Sequence, residues 1–274
     1  MKYQLTSGEE FNKIISIIES VNEVKFTDEV APKKVELTDL SNDRDGSVIG
    51  WKEDDVYKVS TQEKGQKVIF NEDCNYMFSD CTKLQNIEFN FIDTSKVKNM
   101  YAMFYNCENL GTLDLSDFDT SKVKDMSGMF YGCKSIESIN IKFFNTSNVR
   151  YMTLMFSGCN NIENLDLSGF DTSHVLNMKG MFVGCASVEK LDLSVLDMSK
   201  VNDISYMFSD CFSLKQIKLN TFCNSKITDA SYMFTGCENL EKLFVYLDFF
   251  DSQYLLSTQN IFDGCNKLQF KILH

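Results

Sequence analysis

The chain has few histidines and prolines, and it has no long apolar run. Its 274 residues include two histidines, His174 and His274, and a single proline, Pro32. No Cys-x-x-Cys pair or histidine cluster offers the ligand spacing of a zinc site. A transmembrane helix needs about 18 consecutive apolar residues, and no such run is present. We therefore expect no metal site, no cofactor and no membrane span.

The chain also has fewer basic than acidic residues. Lysine and arginine number 27 against 39 acidic residues, which gives a formal net charge of −12. Binding to nucleic-acid phosphates requires a basic face, so this balance argues against a nucleic-acid partner. Residues 1–10 lack the basic and apolar regions of a signal peptide. Two alternatives stay open at this point: an intracellular chain, or an exported one given without its signal.

What the sequence has in abundance is one repeated motif. Met129-Phe130-Tyr131-Gly132-Cys133 returns in the form Met-Phe-x-x-Cys, with Ile261-Phe262 opening the last copy. Its cysteine recurs every 26 residues as far as Cys237 and then after 28 residues. The eight cysteines are Cys81, Cys107, Cys133, Cys159, Cys185, Cys211, Cys237 and Cys265. A fixed period of this length indicates a repeat array, in which no single unit buries its apolar side alone.

The cysteines invite two interpretations. Ten cysteines would indicate disulfides in a small secreted chain, but eight of these share one repeat position. Stacked repeats bring equivalent residues to roughly 5 Å, although parallel side chains seldom offer the Cβ directions that a disulfide needs. We interpret the eight as a ladder of free, buried thiols in the core. Cys74, which replaces a methionine of later repeats such as Met126, supports the apolar interpretation.

The best-formed unit, residues 110–133, defines the repeat. Leu113 and Leu115 alternate as a strand requires. Together with Leu110 they approximate the L-x-x-L-x-L start of a leucine-rich repeat. Apolar residues spaced by three over residues 123–129 predict a tight second side, either a short strand or a 3₁₀-like turn. The unit therefore predicts a coil with a strand on one side and a compact corner on the other.

Two oxygen-rich segments raise a calcium hypothesis. The Asp-Thr-Ser corner, as in Asp119-Thr120-Ser121, recurs in five repeats with variants and is typical of turns in which the side chain bonds to the backbone. A calcium ladder would need glycines that these corners lack. The loop from Ser41 to Gly46 approaches an EF-hand loop, but it has Lys52 where a bidentate glutamate is needed. A turn between two strands is the favoured interpretation there.

Residues before about 71 lie outside the repeat. Ser7-Gly8-Glu9-Glu10 is a capping-box pattern that predicts a helix along an apolar run from Phe11 to Val21. Short strands are predicted at residues 24–26, 35–37, 47–51, 56–59 and 67–70. We predict a small α/β cap over residues 1–70. Residues 71–274 are predicted to form the repeat domain, closed by a C-terminal strand at residues 270–274.

The pattern Leu-Asp-Leu-Ser-x-Phe-Asp-Thr-Ser-x-Val-x-x-Met-x-x-Met-Phe-x-x-Cys, read from Leu113 to Cys133, resembles the 26-residue surface repeat of BspA-like leucine-rich repeat proteins. The resemblance covers about residues 74–268, and residues 25–29 and 46–74 resemble the leader that often precedes such repeats. It implies an α/β repeat fold, a right-handed solenoid of about eight units. It also implies a bacterial module at the cell surface or secreted, used in adhesion to host proteins, matrix or other cells. No signal peptide, lipobox or wall-sorting motif is present, so a cytoplasmic location is the alternative.

The leading functional hypothesis is a protein-interaction module. The outward position between the two strand leucines carries, in successive repeats, Glu88, Asp114, Asn140, Asp166, Asp192, Lys218 and Phe244. The acidic and amide residues in the middle of this row predict a partner with a basic patch, and turn tyrosines such as Tyr206 and Tyr232 are candidate anchors. The candidate ligand-binding residues are therefore Asp114, Asn140, Asp166, Asp192, Tyr206 and Tyr232. The alternative is an acidic row that only keeps the array in solution.

Two further functions are weighed against this one. A thiol enzyme needs a base or a cation beside its cysteine to lower the thiol pKa. Here the cysteines are repeated apolar core residues, and His174 lies in a corner loop without a nucleophile motif. We therefore predict no catalytic residue. A passive scaffold within a larger exported protein is the remaining alternative.

Overall fold

The computed structural model describes residues 2–219, 226–246 and 253–273. Over these ranges the chain forms one helix, α1 (Gly8–Ser16), and thirteen short strands. The strands are β1 (Glu23–Phe26), β2 (Thr38–Asp39), β3 (Ile49–Glu53), β4 (Val56–Ser60), β5 (Val68–Ile69), β6 (Asn86–Phe89), β7 (Ile92–Asp93), β8 (Thr112–Asp114), β9 (Ser138–Asn140), β10 (Lys190–Asp192), β11 (Gln216–Lys218), β12 (Lys242–Tyr246) and β13 (Gln269–Leu273). None of the described helical structure is long and apolar enough to cross a bilayer.

Helix α1 begins where the capping box predicts. The Ser7 side chain accepts a hydrogen bond from the Glu10 amide at 3.4 Å, which satisfies one of the free N–H groups of the first turn. Phe11 and Ile15 are buried on the inner face. The helix ends at Ser16, before the predicted apolar run is complete. The capping prediction is therefore confirmed, and the helix is shorter than the apolar periodicity indicates.

The N-terminal segment and the first repeat share one sheet. Its strand order is β2-β3-β4-β1-β6. Strand β1 is parallel to both β4 and β6, and β3 is antiparallel to both β2 and β4. The strand predicted at residues 35–37 is wrong. Val35 donates its amide to the Pro32 carbonyl across a turn, so the strand starts only at Thr38. Because β6 belongs to the repeat region, the domain boundary at residue 70 stays a prediction.

The described residues from 73 to 265 form eight stacked coils. Parallel bridges connect equivalent residues of neighbouring coils: Asp73, Asn99, Asp125, Tyr151, Asn177, Asp203, Asp229 and Ser257. We call the stacked Met-Phe-x-x-Cys segments the spine, residues 73–81, 99–107, 125–133, 151–159, 177–185, 203–211, 229–237 and 257–265. The bridges step by 26 residues from Asp73 to Asp229 and by 28 residues to Ser257, the same steps as the cysteines of the sequence, so the repeat period is the stacking period.

The spine is held by a continuous hydrogen-bond ladder. In the first coil, the amides of Cys74, Tyr76, Phe78 and Asp80 donate to carbonyls of the second coil. The Phe78 amide, for example, reaches the Met103 carbonyl at 2.8 Å. Every second donor of this ladder has a positive φ, as at Gly128 (59°) and Gly132 (71°) in the third coil, whose amides donate to the Thr153 and Ser157 carbonyls. The amides between the donors bond within their own coil, as from Met77 to Cys74.

Aromatic rings fill the interior of the spine. Neighbouring rings lie between 5.3 Å and 5.8 Å apart, centre to centre, with nearly parallel planes. The stacked rings are Phe78, Phe104, Phe130, Phe156, Phe182, Phe208, Phe234 and Phe262. Each such contact adds about 0.5–1.5 kcal/mol to the free energy gained by burying the ring. The Met-Phe-x-x-Cys motif is thus a packing motif.

The opposite side of the coils carries the predicted strands, but its sheet is interrupted. Strands β8 and β9 form one parallel pair, and β10 to β13 form a second parallel sheet. Between them, residues 161–167 form no strand and make no backbone hydrogen bond to either neighbouring coil among the described residues. Ile139 and Leu165 are only partly buried there, whereas their counterpart Ile217 is fully buried. The described fold is therefore mostly β with repeated sheets, and the right-handed solenoid stays a prediction.

Candidate interaction surface

The outward row on the strand side, which we call the sheet face, is formed by residues 88, 114, 140, 166, 192, 218 and 244. Asp114 and Asn140 are exposed and contact each other, with the Asn140 side-chain amide donating to Asp114 at 2.9 Å. The Ser116 backbone amide donates to the same carboxylate at 3.0 Å. These hydrogen bonds, the one from Ser116 above all, lower the pKa of Asp114 and keep it ionised at neutral pH.

The same turn geometry holds the next two aspartates of the sheet face. Asp166 accepts from the Ser168 amide at 2.9 Å, and Asp192 accepts from the Ser194 amide at 3.1 Å. In both cases the carboxylate closes the turn that follows the strand position. The Asp of the Leu-Asp-Leu-Ser motif therefore has a structural role as well as an exposed charge. This role follows from the two-residue spacing already recognised in the Asp-Thr-Ser corners.

Ion pairs neutralise part of the sheet face. Lys218 Nζ lies 2.5 Å from Asp192 Oδ2, and this contact, followed by the bonds from Ser194, lowers the pKa of Asp192 to about 2. Lys25 pairs with Glu88 at 2.9 Å. Asp114 and Asp166 form no ion pair within the described part of the chain. The net acidic charge of the face thus comes mainly from these two residues.

The partner of Asp192 could have been predicted from the sequence, because Lys218 lies one 26-residue period later. The same spacing gives exposed ion pairs at Glu72–Lys98, Glu108–Lys134 and Glu189–Lys215. Equivalent residues of stacked coils are cross-strand neighbours, so opposite charges one period apart are expected to pair. Such exposed pairs contribute only about 0.2–1 kcal/mol each.

Two grooves run along the sheet face. The larger, of about 560 Å³, is lined by Asp166 and Asp192 together with Leu165, Val195 and Lys218. It lies at the interruption of the sheet. A second groove of about 390 Å³ lies between β6 and β8 and is lined by acidic and amide side chains, including Asp114. The structure therefore brings Asp166 and Asp192 to one groove and Asp114 to another.

The two candidate tyrosines lie elsewhere. Tyr206 and Tyr232 belong to the spine and have φ values of 60° and 59°. Their rings stack on each other 4.8 Å apart, and Lys179 Nζ lies 5.5 Å from the Tyr206 ring centre. Neither tyrosine lines the two grooves. The acidic row and these two tyrosines therefore do not form a single contact surface.

The Asp-Thr-Ser corners form the ladder that their composition predicts. Asp119 accepts from the Ser121 amide at 2.9 Å within its own turn. Thr120 Oγ1 donates to the Asn145 carbonyl at 3.0 Å and accepts from the Asn145 amide at 2.8 Å in the next coil. Thr94, Thr146 and Thr172 repeat the bond to the next carbonyl. The threonine hydroxyl thus satisfies backbone groups that the strands leave free.

The nine cysteines that the structure describes are all free thiols. This is what their shared repeat position predicts. Cys223 lies outside the described residues. The structure adds a contact that the sequence did not reveal: each thiol from the second coil onwards donates to the phenylalanine carbonyl one coil earlier. Cys133 Sγ, for example, reaches the Phe104 carbonyl at 3.1 Å. Burial raises the pKa of Cys133 and Cys185 to about 12, opposite to the direction that a nucleophile requires.

The loop that resembled a calcium site is a self-contained turn. Ser41 Oγ accepts from the amides of Asp45 and Gly46 at 3.0 Å and 3.1 Å. The Ser41 amide in turn donates to Asp39 at 2.9 Å. The Ser41 and Asp39 side-chain oxygens are therefore used by the loop's own backbone, and Asn42 Oδ1 accepts from the Asn71 side chain at 3.0 Å. Across the described ranges, no group of three or more histidine, cysteine, aspartate or glutamate side chains is placed to hold a metal ion.

Comparison with known proteins gives one family match and one structural neighbour. The model of the family described as "Mycoplasma protein of unknown function, DUF285" matches residues 72–190 and 155–273. No curated protein matches the chain. A leucine-rich repeat protein from Bacteroides ovatus aligns with 89% of this chain and 76% of its own, at 15% identity and a TM-score of 0.34. A similarity of that size supports no further argument. The two overlapping family matches cover the stacked coils.

Proposed function

The chain belongs to the DUF285 family of Mycoplasma-type proteins of unknown function, and from that premise we propose a non-enzymatic, adhesin-like module that binds a protein partner. In this proposal the coils form a right-handed solenoid of the BspA-like leucine-rich repeat type. The sheet face is its binding surface. The module acts at the bacterial cell surface or as a secreted protein, and its partner is a host, matrix or other cell protein.

The observation that carries the proposal is two fixed carboxylates that form no ion pair with any residue that the structure describes. Asp114 and Asp166 are exposed and fixed by backbone amides. Hydrogen bonds from Ser116 and Ser168 lower the pKa of these two carboxyls. Both charges are thus present and oriented before a partner arrives, which reduces the ordering cost of binding.

The chemistry of the face defines the partner. Fixed carboxylates complement lysine or arginine side chains, and such complementarity mainly sets the association rate and the specificity. The larger groove adds apolar surface from Leu165 and Val195 beside Asp166. A partner segment with a basic residue next to an aliphatic one fits this combination. The interaction is expected to weaken as salt concentration rises.

Two alternatives predict different behaviour. A passive scaffold within a larger exported protein would show no loss of binding when the face is changed. A thiol enzyme is disfavoured because burial raises the pKa of core thiols such as Cys133 and Cys185. The exposed His174 contacts its chain neighbour Ser173 at 3.2 Å, away from the thiol ladder. The sheet-face module is therefore the function that we favour.

The decisive experiment compares two triple variants of the full chain. The first changes Asp114, Asp166 and Asp192 to asparagine, which retains an oxygen acceptor for the turn amides. The second makes the same change at the corner residues Asp119, Asp171 and Asp197, whose carboxylates also accept from a serine amide two residues on. Each triple takes the formal net charge from −12 to −9. Immobilised proteins are exposed to solubilised cell-surface and matrix proteins, and bound species are quantified by mass spectrometry.

We expect the sheet-face triple to lose at least about tenfold of the captured partner, and the corner triple to retain it. Equal losses in both variants would show that total charge, not the sheet face, determines binding. Unchanged capture in both variants would refute the acidic-face proposal. The location is tested separately by protease treatment of intact cells, since a surface or secreted chain is digested or found in the medium and a cytoplasmic chain is protected.

A further inference from the structure

Four tyrosines of the first three coils form two pairs of rings on the spine, close to helix α1. The rings of Tyr76 and Tyr101 meet edge to face, with their centres 5.2 Å apart. The rings of Tyr105 and Tyr131 stack nearly in parallel, with their centres 4.6 Å apart. Tyr101 is exposed and the other three rings are half-buried. We call these four residues the tyrosine cluster.

The two pairs lie close enough to influence each other. The hydroxyl of Tyr101, followed by burial, raises the pKa of Tyr76 to about 12, and Tyr105 adds to this increase. Burial raises the pKa of Tyr105, and the neighbouring Tyr131 and Tyr101 add to it. The cluster therefore presents several electron-rich rings and neutral hydroxyl groups in one region of the surface at neutral pH.

Two carboxylates flank the tyrosine cluster. Glu9, in helix α1, accepts a hydrogen bond from the Asn75 side-chain amide at 3.0 Å, and its charge contributes to the raised pKa of Tyr76. Asp80 accepts from the Asn106 side-chain amide at 2.9 Å. Within the described ranges, neither Glu9 nor Asp80 forms an ion pair, so both negative charges remain beside the rings.

Basic side chains near the cluster are engaged elsewhere. The charge of Lys13 reaches Glu9, but its Nζ is paired with Glu10 at 2.7 Å. Lys98 Nζ is paired with Glu72 at 2.6 Å. Over the part of the chain that the structure describes, no lysine or arginine lies over a ring of the tyrosine cluster.

A second tyrosine pair of the spine shows how a cation is accommodated. The rings of Tyr206 and Tyr232 stack 4.8 Å apart, much as those of Tyr105 and Tyr131 do. Here, however, Lys179 Nζ lies 5.5 Å from the centre of the Tyr206 ring. One stacked pair therefore has a cation from its own chain, and the other has carboxylates beside it and no such cation.

We propose that the tyrosine cluster, with Glu9 and Asp80, is a binding site for an arginine-bearing segment of a protein partner. A guanidinium ion stacks on tyrosine rings and also forms paired hydrogen bonds with a carboxylate. A neutral ligand would leave the two carboxylates without a complementary charge. None of the four tyrosines lines the grooves of the sheet face, so this site is additional to the binding surface proposed above and independent of it.

The test uses the full chain and a fluorescein-labelled peptide of alternating arginine and glycine residues. In the control peptide, citrulline replaces each arginine, which keeps the shape and the hydrogen-bonding N–H groups but removes the charge. Binding is followed by fluorescence anisotropy. We expect the arginine peptide to bind at least about tenfold more tightly than the citrulline peptide.

Two double variants with the same change of residue type locate the site. Tyr105→Leu with Tyr131→Leu removes one stacked pair and is expected to weaken binding of the arginine peptide at least about tenfold. Val183 occupies the same repeat position in the fifth coil, so an aliphatic side chain is compatible with the fold there. Tyr206→Leu with Tyr232→Leu removes the other stacked pair and is expected to change the affinity by less than about threefold.

The contribution of the carboxylates is tested without removing any ring. Glu9→Gln with Asp80→Asn neutralises two carboxylates and keeps their oxygen acceptors, which takes the formal net charge from −12 to −10. Asp119→Asn with Asp171→Asn makes the same change of charge in the corners. We expect the first double variant to weaken binding at least about fivefold and the second to change it by less than about twofold. Circular dichroism melting shows that each variant is folded.

Three results would overturn the proposal. Equal affinities of the arginine and citrulline peptides would show that the cluster does not recognise a cation. Equal losses in the cluster variants and in their matched controls would assign binding to overall charge or aromatic content. Loss of binding in the sheet-face triple, with the cluster variants unchanged, would place the arginine peptide on the sheet face and support only the function proposed above.

Discussion

At the scale of single residues, the spine cysteines join packing to hydrogen bonding. Each internal thiol fills a buried position and also donates to the phenylalanine carbonyl of the preceding coil. That carbonyl already accepts a hydrogen bond from the backbone amide of the cysteine in the preceding coil. The Phe104 carbonyl, for example, receives the Cys107 amide at 3.2 Å and the Cys133 thiol at 3.1 Å. Cysteine is suited to this position because it is small, apolar and a weak donor.

The same burial predicts loss of stability at alkaline pH. The pKa of Cys133 and of Cys185 is about 12 in the folded chain, whereas an unfolded cysteine has a pKa of about 8.5. Above that pH the unfolded chain releases protons that the folded chain keeps. The stabilisation is thus complete below about pH 8.5 and is lost towards pH 12, by about 1.4 kcal/mol per pH unit and thiol. Urea unfolding between pH 7 and pH 10.5 measures this slope.

The variant Cys133→Ala provides the control for that slope. It removes one titrating thiol and leaves the other alkaline groups in place. We expect its stability to fall less steeply with pH than that of the unchanged chain, by the contribution of one thiol. Equal slopes for the two proteins would contradict the assignment of the alkaline effect to the buried ladder.

Gly8 is a second residue whose substitution is expected to change the stability measurably. A Cβ at this position would lie 2.3 Å from the Asn75 carbonyl oxygen, because the helix start lies directly on the first coil. We expect Gly8→Ala to lower the free energy of unfolding by about 1–3 kcal/mol. Gly111→Ala is the matched control, since no atom lies within 4 Å of the place that a Cβ would take there. Chemical denaturation of both variants tests the difference, and equal stabilities would refute close contact at Gly8.

At the scale of structural elements, the corner ladder depends on one hydroxyl per coil. Thr120→Val keeps the shape of the side chain but leaves the Asn145 amide without its acceptor. We expect a loss of about 0.5–1.5 kcal/mol in unfolding free energy for each of the two partly buried hydrogen bonds that the hydroxyl makes. Thr112→Val, at an exposed position of β8, is expected to stay within about 0.5 kcal/mol of the unchanged chain. Thermal and urea unfolding of the two variants measure the difference, and a neutral Thr120→Val would show that the corner bonds are dispensable.

Some structural elements can be predicted from the sequence and others cannot. The period, the core residues, the capping box and the Asp-Thr-Ser turns follow from local patterns with a known physical cause. The interruption at residues 161–167 does not, because Leu165-Asp166-Leu167-Ser168 repeats the letters of residues 113–116 and forms no strand. Strand pairing there depends on the neighbouring coils, which a single motif does not encode. The larger groove, with Leu165 and Val195, was therefore missed.

The candidate site was predicted in part for a related reason. The exposure of Asp114, Asn140, Asp166 and Asp192 follows from strand alternation, and the structure places all four at the surface. Their binding role stays a prediction. The hydrogen bonds from the serine amides and the ion pair of Asp192 with Lys218 depend on the turn and on stacking, which become visible only when the coils are assembled.

At the scale of the whole molecule, the described coils form a linear array of repeats. Among the described residues the coils contact mainly the coils beside them, so stability is expected to be a sum of coil and interface contributions. The amides of Thr258, Asn260 and Gly264 donate to no described residue, unlike their counterparts in earlier coils. We expect hydrogen exchange of spine amides to be slowest in the middle coils and fastest at Thr258, Asn260 and Gly264. Uniform protection along the spine would contradict this gradient.

The constant step of the bridges from Asp73 to Asp229 also bears on how such a chain changes over generations. Removal or duplication of any multiple of 26 residues joins two coils in register, and the aromatic stack continues across the junction. A length that falls within a spine segment shifts a phenylalanine out of line with its neighbours, whereas the 28-residue step from Cys237 to Cys265 still leaves Phe262 stacked on Phe234. Recombination between repeats is therefore expected to be tolerated best in whole coils, and inherited differences in the length of the sheet face are expected to arise in units of one coil.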